Sequence, residues 1–282
     1  HLSFERWSCI LPDDSQVLAR SARRSALVMC ASAKAAHIGS SLSTVDILAV
    51  LYSGGARVAP DNLNDANRDV VIVAKGHAAA GVYAVLAHSG FFPLNWLDSY
   101  CMDGGRLGGH VTSSGIPGVE FSTGSLGHGL PFGAGIALAK KNRGKSGQVF
   151  VVVSDGEMDE GTTWETALLA SHHSLTNLTV IVDRNRLQSL GSTEETVRLE
   201  PLADKWEAFG WHVIRIDGHD HLAIKRALDL SRRQHQPVVV IAETVKGKGV
   251  SFMENEVLWH YRSPGGEFLD RALEEVSRQP NA

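Results

Sequence analysis

Val149-Phe150-Val151-Val152-Val153-Ser154-Asp155-Gly156-Glu157 decides the fold class. An unbroken apolar run has no polar face to turn to water, so it reads as a strand covered on both sides, the habit of parallel sheets flanked by helices. Asp155 and Gly156 close it with an acid and a turn. Open parallel sheets bind their ligands at this carboxyl edge.

Four further apolar runs flank this one. Leu178 to Val182 lies downstream and ends in Asp183-Arg184-Asn185-Arg186-Leu187, while Val70 to Ala74, His212 to Ile216 and Val238 to Ala242 complete the set. All read as strands buried on both faces. Helical patterning fills the intervals at Leu126 to Lys141, Thr162 to His172, Leu202 to Phe209 and His221 to Arg233. This alternation predicts an α/β fold, a parallel sheet flanked by helices. Asp13 to Tyr52 is helical in pattern and needs no strand, with one start at Pro12-Asp13-Asp14-Ser15 and a second at Ser43 or Thr44. Gly104 to Gly118, rich in glycine and serine, reads as a loop. With no repeat, low-complexity tract or break in composition, a single domain over residues 1–282 is expected.

Composition narrows the function. The chain carries 27 basic and 31 acidic residues, a formal charge of −4, and no dense basic run, which argues against a nucleic-acid surface. Cys9, Cys30 and Cys101 are widely spaced and form neither a zinc pattern nor a disulfide framework, so a reducing cytoplasm is the expected location. No apolar stretch approaches a membrane span, and no secretory leader is visible after His1.

Asp155 and Asn185, at the ends of two strands, could share one cation. A carboxylate, an amide oxygen and a backbone carbonyl, completed by phosphate oxygens and water, suit octahedral Mg2+, and Ca2+ could substitute. Gly156 would let a diphosphate approach the backbone. An Asp-Gly after a strand is by itself only a turn signal; the pairing with Asn185 gives it chemical content.

This strand-Asp-Gly and strand-Asn pair resembles the diphosphate motif of thiamine diphosphate enzymes. The co-linear segments Ala36 to Ser43, Lys75 to Ala78, Gly109-His110, Pro117 to Gly127, Asp155 to Gly161 and Thr244 to Val250 narrow the resemblance to the transketolase family, and within it to the N-terminal subunits of split transketolases. The resemblance implies thiamine diphosphate as cofactor. Asp155, Asn185 and the Leu187 carbonyl would bind the metal. Gly156, His77 and Lys246 would contact the diphosphate, and Glu157 belongs to the same cofactor-binding segment. Ser40 and the Gly124-Ser125-Leu126 turn would lie near the thiazolium and aminopyrimidine. His37, His77, His110 and His260 would line the entrance to the thiazolium carbon and handle ketose hydroxyls, work that suits imidazole. Any one of the chain's 13 histidines could instead be a surface or core residue, but glycines beside His37, His77 and His110 suggest close approach to a ligand. His260 rests on a single Trp-His pair.

The same resemblance implies ketol transfer between ketose and aldose substrates. The glutamate that activates the cofactor belongs to a pyrimidine-binding domain, which is expected on a partner chain together with the C-terminal domain. A heterotetramer follows as the expected assembly, with Glu160 near the contact between chains, although an acid at a helix start needs no such role. Ser154 replaces the usual first glycine of Gly-Asp-Gly, and Ile38 and Val111 replace prolines, so an unusual donor or acceptor is expected. The rival readings are a related thiamine diphosphate ligase, such as a deoxyxylulose-phosphate synthase-like enzyme, and a noncatalytic scaffold.

Overall fold

The computed structural model describes residues 12–278. Five strands form one sheet in the order β1-β2-β3-β5-β4, every neighbouring pair parallel. They are β1 (Val70–Val73), β2 (Val149–Ser154), β3 (Leu178–Arg184), β4 (His212–Asp217) and β5 (Val238–Glu243). The expected α/β class is what forms.

Alternation within each apolar run assigns the two faces. Val71, Val73, Phe150, Val152, Ile181, Val238 and Val240 pack on one side, against α1 (Pro12–Ser32), α2 (Ile38–Val50) and α3 (Ala79–His88). Val70, Ile72, Val149, Val151, Val180 and Val239 point to the other, under α4 (Gly129–Asn142), α5 (Gly161–His172) and a later helix from Leu202. Each fully buried valine contributes roughly 1.5–3 kcal/mol.

Two expectations are corrected. β4 is not buried on both faces: it lies at one edge of the sheet with β5 as its single neighbour, its residues are half-buried, and Arg215 and Asp217 are exposed, whereas β1 at the other edge is buried throughout. The second helix starts at Ile38, not at Ser43 or Thr44. Those two hydroxyls cap nothing; both donate to the buried carboxylate of Asp183 and to the Ser40 carbonyl. The α2 N-cap is His37, in left-handed backbone at φ 71°.

The register sets the site. Ser154 pairs with Asp183 and Arg184 with Glu243, so the residues following β2, β3 and β5 converge at one carboxyl edge. The Gly104 to Gly118 segment is a loop, as expected.

Candidate active site

A cleft of about 210 Å³ opens at that edge. Its walls come from the α2 start (His37, Ser40), the turn after β1 (Lys75, His77), the loop carrying His110, Gly124 and Leu126, the turn after β2 (Asp155, Gly156), the segment after β3 (Asn185, Leu187, Gln188) and the turns carrying Lys246 and His260. Segments far apart in sequence meet here because the strands are parallel and all deliver their ends to the same side.

Four histidines crowd the upper wall. The His37 ring lies 5.4 Å from His77, 5.8 Å from His110 and 4.8 Å from His260, centre to centre, and His77 is 5.7 Å from His260. Burial lowers the His37 pKa to about 4, with His110 and Lys246 adding to it. Burial, then Lys246 and His37, bring His260 to about 3. His77 falls well below its usual value through burial and the nearby Lys75. These three imidazoles are neutral at neutral pH. His37 Nδ1 is buried without a hydrogen-bond partner, an orphan that a bound ligand would satisfy. A non-glycine residue at positive φ costs of order 1–3 kcal/mol, and such strain concentrates at ligand sites.

Below the histidines lies a fully buried ionic knot. Asp183 receives the Lys75 ammonium and the hydroxyls of Ser43, Thr44 and Thr244, as well as the Asn185 amide at 3.4 Å. Burial opposes its charge, but Lys75 and the hydroxyl donors outweigh it and hold the carboxyl ionised. Lys75 also donates to the Ser40 carbonyl at 3.1 Å, tying β1 to α2. Gly76 follows because nothing larger fits: a Cβ there would meet the Thr123 carbonyl oxygen at 2.3 Å.

The floor carries the hard oxygens. Asp155, 1% exposed, accepts from the Arg184 guanidinium at 3.1 Å and from the Gly156 amide at 2.8 Å. Burial, with Asp183 close by, raises its pKa against the pull of Arg184. The Asn185 side-chain oxygen accepts from the Leu187 amide at 3.1 Å. Lys246 Nζ donates to the Leu187 carbonyl at 3.1 Å and lies 3.0 Å from His260 Nδ1. Burial beside Lys75 lowers Lys246 to about 8.

Three sequence candidates stand outside the cleft lining. Glu157 is fully buried behind it, its two oxygens accepting from the Gly127 and Ser154 amides, so it joins the turn after β2 to the loop before α4. Ser125 and Glu160 are exposed. Sequence reasoning assigned no role to Lys75, Asp183 or Gln188. Lys75 sits inside a segment already singled out and Asp183 two residues before Asn185, so position was the available signal; nothing marked their side chains as buried partners.

Fold and cleft together define a thiamine diphosphate-binding domain: a parallel sheet with histidines, a hard-oxygen floor and a lysine at its carboxyl edge. Residues 15–267 match the family described as "Transketolase, thiamine diphosphate binding domain". The chain is 40% identical over 265 residues to one of the subunits of the apulose-4-phosphate transketolase of Actinobacillus succinogenes, an alignment covering 94% of this chain and 96% of that one. It is 37% identical to the "6-deoxy-6-sulfo-D-fructose transketolase subunit SqwG" of Clostridium sp., covering 86% and 89%. The crystal structure of Campylobacter jejuni transketolase superposes with a TM-score of 0.86 at 28% identity, over 96% of this chain and 43% of that one. The chain belongs to the transketolase family. Within the family it corresponds in extent to proteins named as separate transketolase subunits.

Proposed function

We propose that this chain is the diphosphate-binding subunit of a two-chain transketolase, moving a two-carbon ketol unit from a ketose donor to an aldehyde acceptor. The observation that carries the reading is the cluster of histidines, with the orphaned His37 Nδ1, lining one cleft together with Asp155, Asn185 and Leu187.

The residues present fit the cofactor and its metal. Asp155, the Asn185 amide oxygen and the Leu187 carbonyl supply hard oxygens for Mg2+, or Ca2+, with the remaining positions left to phosphate oxygens and water. Gly156, His77 and Lys246 would hold the diphosphate, and Ser40 and the Gly124-Ser125-Leu126 turn would lie near the thiazolium and aminopyrimidine. Bound thiamine diphosphate supplies the carbanion chemistry that amino-acid side chains lack. His37, His77, His110 and His260 orient donor hydroxyls and relay protons, work that suits imidazole because its two ring nitrogens can donate and accept.

A partner chain supplies the pyrimidine-binding domain and its glutamate, in a heterotetramer with Glu160 near the contact. The outer faces of α4 and α5 support assembly: Phe132, Leu168 and Leu169 are 39%, 62% and 46% exposed, an apolar surface of the kind that protein partners cover. The described helices include none long and apolar enough to cross a membrane, and a cytoplasmic location suits the free thiols Cys30 and Cys101. The relatives named for a sugar phosphate and a sulfo-sugar support an anionic sugar as donor.

Calorimetric titration of thiamine diphosphate into the two-chain complex tests the site. Binding should require a divalent cation and should weaken by about a hundredfold in Asp155→Ala, since loss of a ligating carboxylate leaves a buried guanidinium in its place. Binding indifferent to both metal and Asp155 would refute the assignment.

A further inference from the structure

A second buried polar cluster lies behind the cleft, on the far side of the turn that carries Lys246. Asp46 of α2 is its centre. Its Oδ2 receives the Arg23 guanidinium and stands 2.7 Å from His219 Nδ1, while Oδ1 stands 3.0 Å from His221 Nε2. His221 Nδ1 in turn meets the Ser15 hydroxyl at 2.8 Å.

His219 faces both ways. Its Nε2 accepts the Val245 backbone N–H at 2.8 Å. An amide can only donate, so Nε2 carries the lone pair and the ring proton sits on Nδ1, aimed at Asp46. The carboxylate thereby fixes the one tautomer that can hold Val245.

Val245 needs such an acceptor. β5 ends at Glu243; the Thr244 amide still reaches the last carbonyl of β3, that of Arg184, but beyond it the ladder stops, and Val245 donates to the imidazole and Gly247 to the Gly39 carbonyl of α2. These three bonds set where the Lys246 side chain leaves the backbone. The side chain itself is buried, with its Nζ on the Leu187 carbonyl at 3.1 Å and 3.0 Å from His260 Nδ1, and Gly247 turns at φ 81° with no room for a Cβ against the Met253 carbonyl.

We infer that Asp46 and His219 form a positioning pair that holds the Val245–Gly247 turn against α2 and so fixes the Lys246 ammonium at the diphosphate end of the cleft. Neither residue lines that cleft. The inference rests on the reading of Lys246 as a diphosphate contact, and it concerns how that contact is kept in place.

The test compares His219→Phe, which keeps the ring and loses the acceptor, with His219→Gln, whose amide can accept from Val245 and donate to Asp46. Two quantities are read: amide hydrogen exchange at Val245–Gly247 in the chain itself, and pyrophosphate affinity of the magnesium-loaded two-chain complex. His219→Phe should exchange about tenfold faster at this turn and bind pyrophosphate about tenfold more weakly, the effect of one lost buried hydrogen bond. His219→Gln should recover most of both, with turnover at saturating cofactor within about twofold of wild type in each. Should His219→Phe fail to fold, His219→Asn, too short to reach Val245, replaces it. Exchange and affinity unchanged in the acceptor-less variant, or a Gln variant as impaired as it, would overturn the inference. Lys246→Ala separates the two ideas: unchanged pyrophosphate affinity there would sink the reading of Lys246, whereas a loss there with none in the His219 variant would sink the positioning pair alone.

Discussion

Lys75 places its ammonium on the carboxylate of Asp183 with both side chains wholly removed from solvent. A charge pair at that depth joins β1, β3 and α2 at the point from which the cleft rises. Removing one partner leaves the other charge buried and alone. Asp183→Ala should therefore lower the unfolding free energy by roughly 3–5 kcal/mol, read by urea denaturation, and Lys75→Met should cost a similar amount. Removing both with apolar residues of matching size should cost less than the sum. A fully additive pair would show that the two charges stabilise the fold independently.

His37 separates activity from stability. Its ring makes no side-chain hydrogen bond through Nδ1, yet its backbone sits at φ 71° as the cap of α2. Asparagine tolerates left-handed backbone. His37→Asn should stay within about 1 kcal/mol of wild-type stability while turnover falls by roughly 10²–10⁴, the usual scale for a lost proton-transfer group. A variant with full turnover would remove His37 from the chemistry.

Glu157 predicts a pH effect on stability. Burial raises its pKa from 4.5 to about 7, against the two amides that bond it. The folded state therefore binds a proton more tightly than the unfolded chain, and that contribution is lost as pH rises from about 4.5 to about 7. Glu157→Gln, which cannot titrate, should show a flatter stability profile across this window in urea melts at a series of pH values. Profiles of equal slope would place the titration elsewhere.

Two glycines should respond in opposite ways to alanine. At Gly76 the added carbon would strike the Thr123 carbonyl at 2.3 Å, so Gly76→Ala should destabilise by about 1–3 kcal/mol and displace the neighbouring His77. At Gly135 on α4 a Cβ meets nothing within 4 Å. Gly135→Ala should stabilise the chain by about 0.4–1 kcal/mol, measured by thermal melting.

Much of the architecture was legible in the sequence. The β2 run is apolar throughout and the β3 run is interrupted by Thr179 alone, because both faces are covered, and the acid, amide and glycine at their ends mark the ligand edge. Edge position is a different matter: pairing order shows that β4 has a single neighbour, and the one local sign of its exposure is the pair of polar residues, His212 and Arg215, that interrupts its run. Ser43 and Thr44 mimic a helix cap because hydroxyls favour that place, whereas here they serve a carboxylate from 139–140 residues away. Long-range polar pairing leaves no local pattern. The same holds for Lys75, which lies in a segment singled out for its resemblance while its buried pairing with Asp183 leaves no local mark, and for Glu157, which sits inside the cofactor segment but braces two backbone turns.

The most direct measurement is ketol transfer itself. This chain, alone and mixed with a candidate pyrimidine-domain partner, would be supplied with thiamine diphosphate, magnesium, an anionic ketose donor and a panel of aldehydes. The account predicts transfer in the mixture alone, abolished by Asp155→Ala and strongly reduced by His77→Ala. Turnover in the mixture that survives Asp155→Ala, or a folded, cofactor-loaded complex inert toward every anionic ketose and aldehyde pair, would contradict it.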